Sequence, residues 1–124
     1  MSEHYFPLDN IRVLELGTLI AGPFTGRLLG DFGAEVIKIE PPDKADPMRI
    51  WGQKKDGQGL QWPIQSRNKK SITLNLREQE GQDLFKQLVE KADVVLENFR
   101  PGTMEKWGLS YEELSAINPK ILSL

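Results

Sequence analysis

The chain has 124 residues, of which 39% are hydrophobic and 27% charged, and its formal net charge at pH 7 is −2. That length is typical of about one domain, and the slightly acidic balance argues against a nucleic-acid-binding protein, which usually has a marked basic excess. No cysteine is present, which excludes disulfides and thiolate metal sites and is compatible with a cytoplasmic location. No apolar run reaches the roughly 18 residues of a membrane span, and residues 1–7 lack the apolar core of a secretory signal, so we expect neither.

The first third of the chain predicts a β-α-β unit around which the rest is organised. Residues 11–16 and 35–40 are rich in Val, Ile and Leu, as in buried strands. Between them the pattern predicts a helix over 22–33. Its apolar, core-facing side is predicted to comprise Phe24, Leu28, Leu29 and Phe32. A right-handed crossover makes the two strands parallel, and ligands bind beyond the carboxyl ends of such strands, so the turn 17–23 is the first candidate for a ligand-facing loop.

The rest of the chain continues to alternate strands with helices. Strands are predicted at 71–76, 94–96 and 121–124, and helices at 78–92, 104–107 and 111–117, the last capped by Ser110. The apolar stripe of the helix at 78–92 is predicted to be Leu84, Phe85, Leu88, Val89 and Ala92. This alternation predicts an α/β fold with a parallel sheet covered by helices on both faces. Because the sequence stops inside a strand, we expect either a fragment of a larger domain or a partner that completes the sheet.

Residues 41–67 interrupt the alternation with Pro, Gly and polar residues, and the pattern predicts no regular element there. A structureless loop longer than about 12–15 residues is uncommon unless it has a function. Trp51 and Trp62 are candidates to anchor this segment to the body of the domain. Within it, residues 46–49 (Asp-Pro-Met-Arg) are interpreted either as part of a mobile lid or as a surface loop anchored by Trp51.

Two further polar stretches are candidates for ligand contact. Residues 67–71 (Arg-Asn-Lys-Lys-Ser) precede a strand and are interpreted as either a solvated basic loop or a phosphate-binding one. Residues 97–102 follow a strand at the ligand-facing end of the predicted sheet. There, Asn98 can hydrogen-bond a base or an amide, Phe99 can stack and Arg100 can pair with phosphate. The alternative for this stretch is a turn with one buried Phe.

The sequence does not support several other kinds of site. His4 is the only histidine and is predicted to be a solvated terminal residue, so we expect neither a metal site nor a Ser-His-Asp triad. Gly17 and Gly22 do not form the Gly-x-Gly-x-x-Gly fingerprint, and no Walker loop is present. Lys38 and Glu40 are interpreted as polar residues at a strand end. The residues alone therefore predict an α/β domain that binds a phosphorylated, partly flat ligand, and they do not specify a reaction.

Six motifs in order resemble the amino-terminal part of the class III CoA-transferases. They are Ile-Arg-Val-Leu-Glu-Leu at 11–16, Ala-Gly-Pro-Phe at 21–24, Asp-Phe-Gly-Ala-Glu-Val-Ile-Lys-Ile-Glu at 31–40, Asp-Pro-Met-Arg at 46–49, Arg-Asn-Lys-Lys-Ser at 67–71 and Glu-Asn-Phe-Arg-Pro-Gly at 97–102. The family includes formyl-CoA transferase, carnitine and bile-acid CoA-transferases and the methylacyl-CoA racemases. The resemblance implies that residues 1–124 are the N-terminal part of a Rossmann-like large domain, usually within an interlocked homodimer.

The resemblance also implies an enzyme that moves CoA between an acyl-CoA and a carboxylic acid through an aspartyl-CoA thioester. In the family the nucleophilic Asp follows a Gly-rich stretch that would lie beyond Leu124. No catalytic residue is therefore assigned, and this segment alone is expected to be inactive. Two other interpretations stay open. One is a non-catalytic remnant that binds CoA or a partner chain, and the other is an acyl-CoA racemase, whose acid–base residues would also lie downstream.

The CoA contacts implied by the resemblance use formyl-CoA transferase as the template. The residues matched to its CoA-lining positions are Ile20, Ala21, Leu74, Asn75, Leu76, Arg77, Asn98, Phe99, Arg100 and Lys106. Ile20 stands where the template has Gln, so only backbone contact is implied there. Pro41 stands where the template has Arg, so that contact is lost. Lys106 also stands where the template has Arg, and it keeps the positive charge without the planar, two-pronged donor set of a guanidinium group. These departures imply a substrate other than formate and oxalate.

Overall fold

The computed structural model describes residues 5–124, so the predicted solvated His4 lies outside the described residues. The strands are β1 (Arg12–Glu15), β2 (Glu35–Glu40), β3 (Lys54–Lys55), β4 (Gln58–Gly59), β5 (Lys69–Thr73), β6 (Val94–Leu96) and β7 (Leu122–Ser123). The helices are α1 (Ala21–Asp31), α2 (Trp62–Gln65), α3 (Gln79–Val89), α4 (Thr103–Lys106) and α5 (Tyr111–Ile117), with a 3-10 helix at Pro47–Arg49.

Five of these strands form one parallel sheet in the order β5-β2-β1-β6-β7. The chain runs outward from β1 through β2 to β5, then returns to the other side of β1 for β6 and β7. This is the order of Rossmann folds, in which ligands bind where the direction of the strand order reverses. In this chain that switch point lies between β1 and β6. The predicted α/β class is confirmed, with helices flanking a parallel sheet.

One face of the sheet carries the larger apolar core. Phe85 and Val89 of α3 are fully buried against the strand residues Leu14 and Val95. The remaining buried members of this cluster are Leu16, Ile39, Leu76, Ala92, Met104, Leu109, Leu114 and Ile121. The predicted stripe of α3 is therefore correct at its centre, although Leu84, at the edge of the stripe, is 45% exposed.

On the opposite face, the prediction for α1 had the wrong side of the helix facing the core. Phe24, Leu28 and Phe32 are 42%, 40% and 54% exposed, and only Leu29 packs partly against the sheet. The buried side consists of Gly22, Pro23, Gly26 and Gly30. A Cβ added at Gly26 would overlap the carboxylate of Glu15, so the missing side chains let the helix approach the strands closely.

Residues 41–67 contain more local structure than the sequence pattern predicts. Asp46 caps the 3-10 helix by accepting a hydrogen bond from the backbone N–H of Met48 at 2.9 Å, and both residues are buried. The strands β3 and β4 then form a small antiparallel hairpin. The anchor of the segment is Trp62, which is 8% exposed, whereas Trp51 remains 49% exposed. The segment is therefore held through Asp46 and Trp62 rather than through Trp51.

The carboxyl-terminal third follows the predicted boundaries closely. Helix α5 spans the predicted residues, and Ser110 caps it by accepting a hydrogen bond from the N–H of Glu113 at 3.3 Å.

The strand predicted at 71–76 is shifted to Lys69–Thr73 and lies at the edge of the sheet, where Ile72 is 38% exposed. Because β5 ends at Thr73, the next residues leave the sheet and become available to line a cavity.

Candidate functional site

A cavity of about 240 Å³ opens at the carboxyl edge of the sheet. It lies beyond the ends of β1, β2, β5 and β6, which is where the topology of a parallel sheet predicts a ligand. Its lining residues are Leu16, Thr18, Ile39, Pro41, Lys44, Ala45, Pro47, Leu74, Asn75, Leu76, Arg77, Phe99 and Trp107. The wall is thus largely apolar, with a few polar groups and two cations.

Half of the residues matched to the family's CoA contacts line this cavity. The structure brings together Leu74, Asn75, Leu76, Arg77 and Phe99 in its wall. The matched residues that do not line it are Ile20, Ala21, Asn98, Arg100 and Lys106. All five of these are exposed on the protein surface. Sequence reasoning missed Lys44 and Trp107, because the first lies in the segment without a predicted element and the second was interpreted only as the end of a short helix.

The segment that follows β5 is fixed in place by local contacts. The Asn75 side-chain oxygen accepts a hydrogen bond from the N–H of Arg77 at 3.1 Å, which forms a tight turn. The Gln82 amide donates to the Leu76 carbonyl at 2.9 Å. A Cβ added at Gly81 would overlap the Asn75 carbonyl, so this glycine lets the first turn of α3 pack directly on the segment. The backbone of 74–77 therefore forms a rigid wall.

Phe99 forms the aromatic part of the wall together with Trp107. The two rings meet edge to face, with centroids 5.4 Å apart and an interplanar angle of 79°. Phe99 is half-buried and packs against the apolar core, and its N–H donates to the Glu97 carboxylate at 2.7 Å. Phe99 therefore packs against the core, as the interpretation of a buried Phe in a turn predicts. It also keeps ring surface in the wall of the cavity, as stacking on a ligand would require.

Two cations lie at the rim of the cavity. Lys44 is exposed, and the Arg77 guanidinium lies 3.7 Å from the Asp43 carboxylate. The side chains of Arg77 and Asp43 are 54% and 68% exposed, so solvent screens this pair and its contribution to stability is small. Both cations are therefore available to an anionic ligand at the mouth of the cavity.

Asn98 contacts the turn after β1. Its side-chain oxygen accepts a hydrogen bond from the N–H of Thr18 at 2.9 Å, and its side-chain N–H donates to the Thr18 carbonyl at 3.0 Å. A Cβ added at Gly17 would lie 2.5 Å from the same oxygen, so this approach requires glycine. Through these two hydrogen bonds the Asn98 amide joins the ends of β1 and β6 at the switch point.

The basic stretch at 67–71 is neutralised within the chain. Each of its three cations contacts a carboxylate. The pairs are Arg67–Asp31 at 2.5 Å, Lys69–Glu15 at 2.7 Å and Lys70–Glu35 at 2.6 Å. The hydrogen bond from Arg67 lowers the pKa of Asp31. Lys69 is buried in its pair, whereas the Arg67 and Lys70 side chains are 51% and 71% exposed, so the stretch is a partly solvated one whose cations are each paired within the chain.

A buried ionic cluster lies between α1 and the carboxyl ends of β1 and β2, and sequence reasoning missed it. The Lys38 ammonium lies 3.0 Å from Glu15 and 2.8 Å from Asp46, and the Lys69 ammonium lies 2.7 Å from the other oxygen of Glu15. All four side chains are at most 2% exposed. Burial lowers the pKa of Lys69, and the Glu15 charge opposes that shift. Lys38 is therefore a buried pairing partner rather than a polar residue at a strand end.

Glu40 extends this cluster towards the 3-10 helix. It accepts hydrogen bonds from the N–H of Asp46 at 2.7 Å and from the Arg49 guanidinium at 2.6 and 3.0 Å. Burial by itself would raise the pKa of Glu40, but these hydrogen bonds and the charges of Arg49 and Lys38 outweigh it and lower the pKa. The Arg49 guanidinium also lies 4.0 Å above the ring of Trp62, which stabilises the cation further.

Residues 5–124 offer neither a metal-binding cluster nor a membrane-spanning helix. Within that range no group of three His, Asp or Glu side chains is arranged to hold a metal ion. Over the same residues, no helix has the length and apolar character needed to cross a membrane.

The sequence model of CoA-transferase family III matches residues 8–124. The chain belongs to CoA-transferase family III. This match covers the strands, the turn at the switch point and every lining residue of the cavity. The family resemblance predicted from the six motifs is confirmed.

Curated members of CoA-transferase family III are similar over nearly the whole chain. The succinyl-CoA–D-citramalate CoA-transferase of Chloroflexus aurantiacus is 62% identical over 119 residues, which are 95% of this chain and 30% of that protein. The acetyl-CoA:oxalate CoA-transferase of Acetobacter aceti is 43% identical over 116 residues, 94% of this chain and 30% of that protein. The chain thus spans about 30% of the length of these relatives.

A solved structure from the same family has the same fold. The crystal structure of a CAIB/BAIF family protein from Brucella suis superposes with a TM-score of 0.87 at 42% sequence identity. The alignment covers 97% of this chain and 33% of that one. The Rossmann-like architecture implied by the resemblance is therefore shared with a family member of known structure.

Proposed function

We propose that this chain supplies the CoA-binding part of an enzyme that moves CoA between an acyl-CoA and a carboxylic acid. The observation that carries the proposal is the cavity at the carboxyl edge of the sheet. In a member of CoA-transferase family III, the residues matched to CoA contacts at 74–77 and Phe99 converge on that cavity from two different strand ends. The neutralised basic stretch at 67–71 offers no comparable surface.

The lining of the cavity suits the separate parts of a CoA molecule. Phe99 offers an aromatic surface for a flat or apolar group, and the rigid backbone of 74–77 offers hydrogen-bonding groups for the amides of the pantetheine arm. Lys44 and Arg77 at the rim are placed for the phosphates. A volume of about 240 Å³ is below the roughly 300–1,000 Å³ of complete ligand pockets, so the cavity holds one portion of CoA and the remainder lies along the surface.

We further propose succinyl-CoA as the CoA donor and a dicarboxylic acid as the acceptor. This rests on the 62% identity with a transferase named for succinyl-CoA and D-citramalate, and on further relatives named for succinyl-CoA with L-malate or glutarate. The reaction exchanges partners: succinyl-CoA and D-citramalate give succinate and D-citramalyl-CoA. We place this enzyme in the cytoplasm, as a homodimer. Light scattering of the purified protein tests the dimeric state directly.

The test is a transfer assay with the intact protein from its native source. Succinyl-CoA and D-citramalate are supplied, and succinate and D-citramalyl-CoA are measured by mass spectrometry, with L-malate and glutarate as alternative acceptors. The expected result is equal formation of succinate and a new acyl-CoA with at least one acceptor. A 2-methylacyl-CoA is supplied in a parallel assay. Its epimerisation without release of a free acid would establish the racemase instead. Absence of both activities would contradict an enzymatic role.

The polypeptide of residues 1–124 is predicted to bind CoA without transferring it. The resemblance places the nucleophilic Asp of the family beyond Leu124, and without that carboxylate no aspartyl-CoA thioester forms. The same assay on the purified 124-residue chain measures this. Release of succinate coupled to a new acyl-CoA by this chain would show that a carboxylate within it is the nucleophile.

A further inference from the structure

Three consecutive residues of the turn after β1 are each held by a side chain from another part of the chain. The Gly17 carbonyl accepts a hydrogen bond from the Lys38 ammonium at 3.0 Å. Thr18 is held at both its N–H and its carbonyl by the side chain of Asn98. Leu19 is held through its N–H by the side chain of Asp46. Side chains from other parts of the chain therefore fix the conformation of residues 17–19.

The last residue of this turn adopts an unusual backbone conformation. Leu19 has φ of 61°, in the left-handed region that side chains other than glycine rarely adopt. Its N–H donates to Oδ1 of Asp46 at 3.0 Å. The same carboxylate lies 2.8 Å from the Lys38 ammonium through its other oxygen. Such a conformation persists only where the surroundings determine it, and the Asp46 hydrogen bond holds the Leu19 backbone directly.

Lys38 and Asp46 therefore act on the turn as one unit. Their side chains are 2% and 0% exposed, so solvent does not compete with the ion pair. One partner holds the carbonyl of Gly17 and the other holds the N–H of Leu19, on either side of Thr18. Thr18 lies in the wall of the cavity. The ion pair and the Asn98 side chain thus together fix the position of the β1 side of the cavity wall.

We propose that Lys38 and Asp46 are positioning residues of the CoA site, which hold the turn 17–19 in the conformation that the bound acyl-CoA requires. The inference rests on the proposed function, because it takes the cavity as the CoA site. Neither residue lines the cavity, whereas Thr18 of the turn does, as do Ile39, Ala45 and Pro47, the neighbours of the pair in sequence. The chain offers a matched comparison in Lys69, which also pairs with Glu15 and is equally buried but donates to the Pro23 carbonyl in α1.

The test compares Lys38→Met with Lys69→Met in the intact protein. Each variant removes one buried ammonium group paired with Glu15, but only the first also removes the partner of Asp46 and the donor to the Gly17 carbonyl. Thermal unfolding of both variants establishes that each is folded. The dissociation constant for CoA is measured by calorimetry, and hydrogen–deuterium exchange is followed by mass spectrometry in a peptide that covers 16–20. We expect Lys38→Met to weaken CoA binding about fivefold or more, the effect of losing about one net hydrogen bond, and to accelerate exchange in that peptide.

For Lys69→Met we expect both readouts to stay within about twofold of the wild-type values. Equal effects of the two substitutions, or no effect of Lys38→Met on either readout, would overturn the proposal. If Lys38→Met does not fold, Asp46→Ala replaces it, since this variant removes the acceptor of the Leu19 N–H and leaves Glu15 paired with both lysines, and it is expected to change both readouts in the same direction. Wild-type protein that does not bind CoA would refute the proposed function. The exchange measurement then decides separately whether Lys38 and Asp46 hold the turn.

Discussion

The two faces of the central sheet are stabilised in different ways. The face covered by α3 is apolar from the middle of the strands to their carboxyl ends, where Leu14, Ile39 and Val95 pack against Phe85 and other helix residues, and it carries the Arg12–Glu35 ion pair at its amino end. The face covered by α1 is apolar along β6, through Val94 and Leu96, and at the amino ends of β1 and β2, where Val13 and Val36 lie. At the carboxyl ends it carries Glu15, Lys38 and Glu40, all at most 4% exposed.

The helices that cover the two faces explain this difference. Helix α3 presents large side chains that fill the space over the sheet. Helix α1 presents glycines at every fourth position, 22, 26 and 30, and the space next to Gly26 is occupied by the Glu15 carboxylate and the Lys69 ammonium. A face built from charges is tolerated when each charge is paired and hydrogen-bonded, and here it also fixes the turn that borders the cavity. One face thus provides most of the apolar burial, and the other positions the candidate site.

The largest effect is expected from breaking the buried charge cluster at Glu15. Glu15→Gln leaves two buried lysines with one carboxylate fewer, and removing one partner of a buried pair costs about 3–5 kcal/mol of unfolding free energy. The matched control is Glu35→Gln, since Glu35 also pairs with two cations, Arg12 and Lys70, but at the surface. Urea denaturation of both variants measures the difference.

We expect the Glu35 variant to lose less than about 1 kcal/mol, as surface ion pairs do. If the two substitutions lowered the unfolding free energy to a similar extent, the ion pairs under α1 would contribute no more to stability than ion pairs at the surface. The contrast between the two faces would then be wrong.

A smaller effect is expected from adding a methyl group to the glycine side of α1. Gly26→Ala would force the Glu15 carboxylate away from Lys69, and overpacking of this kind costs about 1–3 kcal/mol. Gly30→Ala is the control, because its Cβ would meet its nearest neighbour, Asn68, at an ordinary distance of 3.4 Å. This control gains up to about 1 kcal/mol from helix propensity. Thermal unfolding of the pair gives the comparison, and equal stabilisation of both variants would show that α1 does not lie as close to Glu15 as described.

The smallest expected effect is a dependence of stability on acid pH that originates at Glu40. Its pKa is lowered from the ordinary value of 4.5, so the unfolded chain takes up a proton more readily than the folded one. The corresponding stability is fully present above pH 4.5 and is lost as the pH falls through the lowered folded-state pKa. Unfolding free energies of the wild type and Glu40→Gln across this range measure it. The variant is expected to show a flatter acid limb, and parallel curves would assign the acid sensitivity to other carboxylates such as Asp31 and Glu35.

Sequence patterns predicted the apolar face and most element boundaries, because strand alternation and helical spacing report directly on side chains that pack against each other. They failed for α1, since Phe24, Leu28 and Phe32 have the spacing of a core-facing stripe although they are exposed. They also failed for Lys38, because a buried cation in a strand has the same sequence signature as a solvated one. The glycine spacing at 22, 26 and 30 is the signal that would have predicted a close helix–sheet contact. Of the candidate site, the position of the cavity followed from topology, whereas its rim residue Lys44 lies in a segment whose structure depends on tertiary contacts.

The measurement that tests the central claim most directly is a calorimetric titration of CoA into the intact protein and its Phe99→Ala variant. If the cavity is the CoA site, the wild type binds CoA and the variant loses about 1–3 kcal/mol of binding free energy, the range for losing an aromatic stacking partner. Phe99→Leu separates the aromatic contact from apolar packing, and Phe32→Ala is a control at an exposed Phe that does not line the cavity. Thermal unfolding of each variant establishes that it is folded. Unchanged affinity in a folded Phe99→Ala protein, or an equal loss in Phe32→Ala, would contradict the assignment of this cavity to CoA.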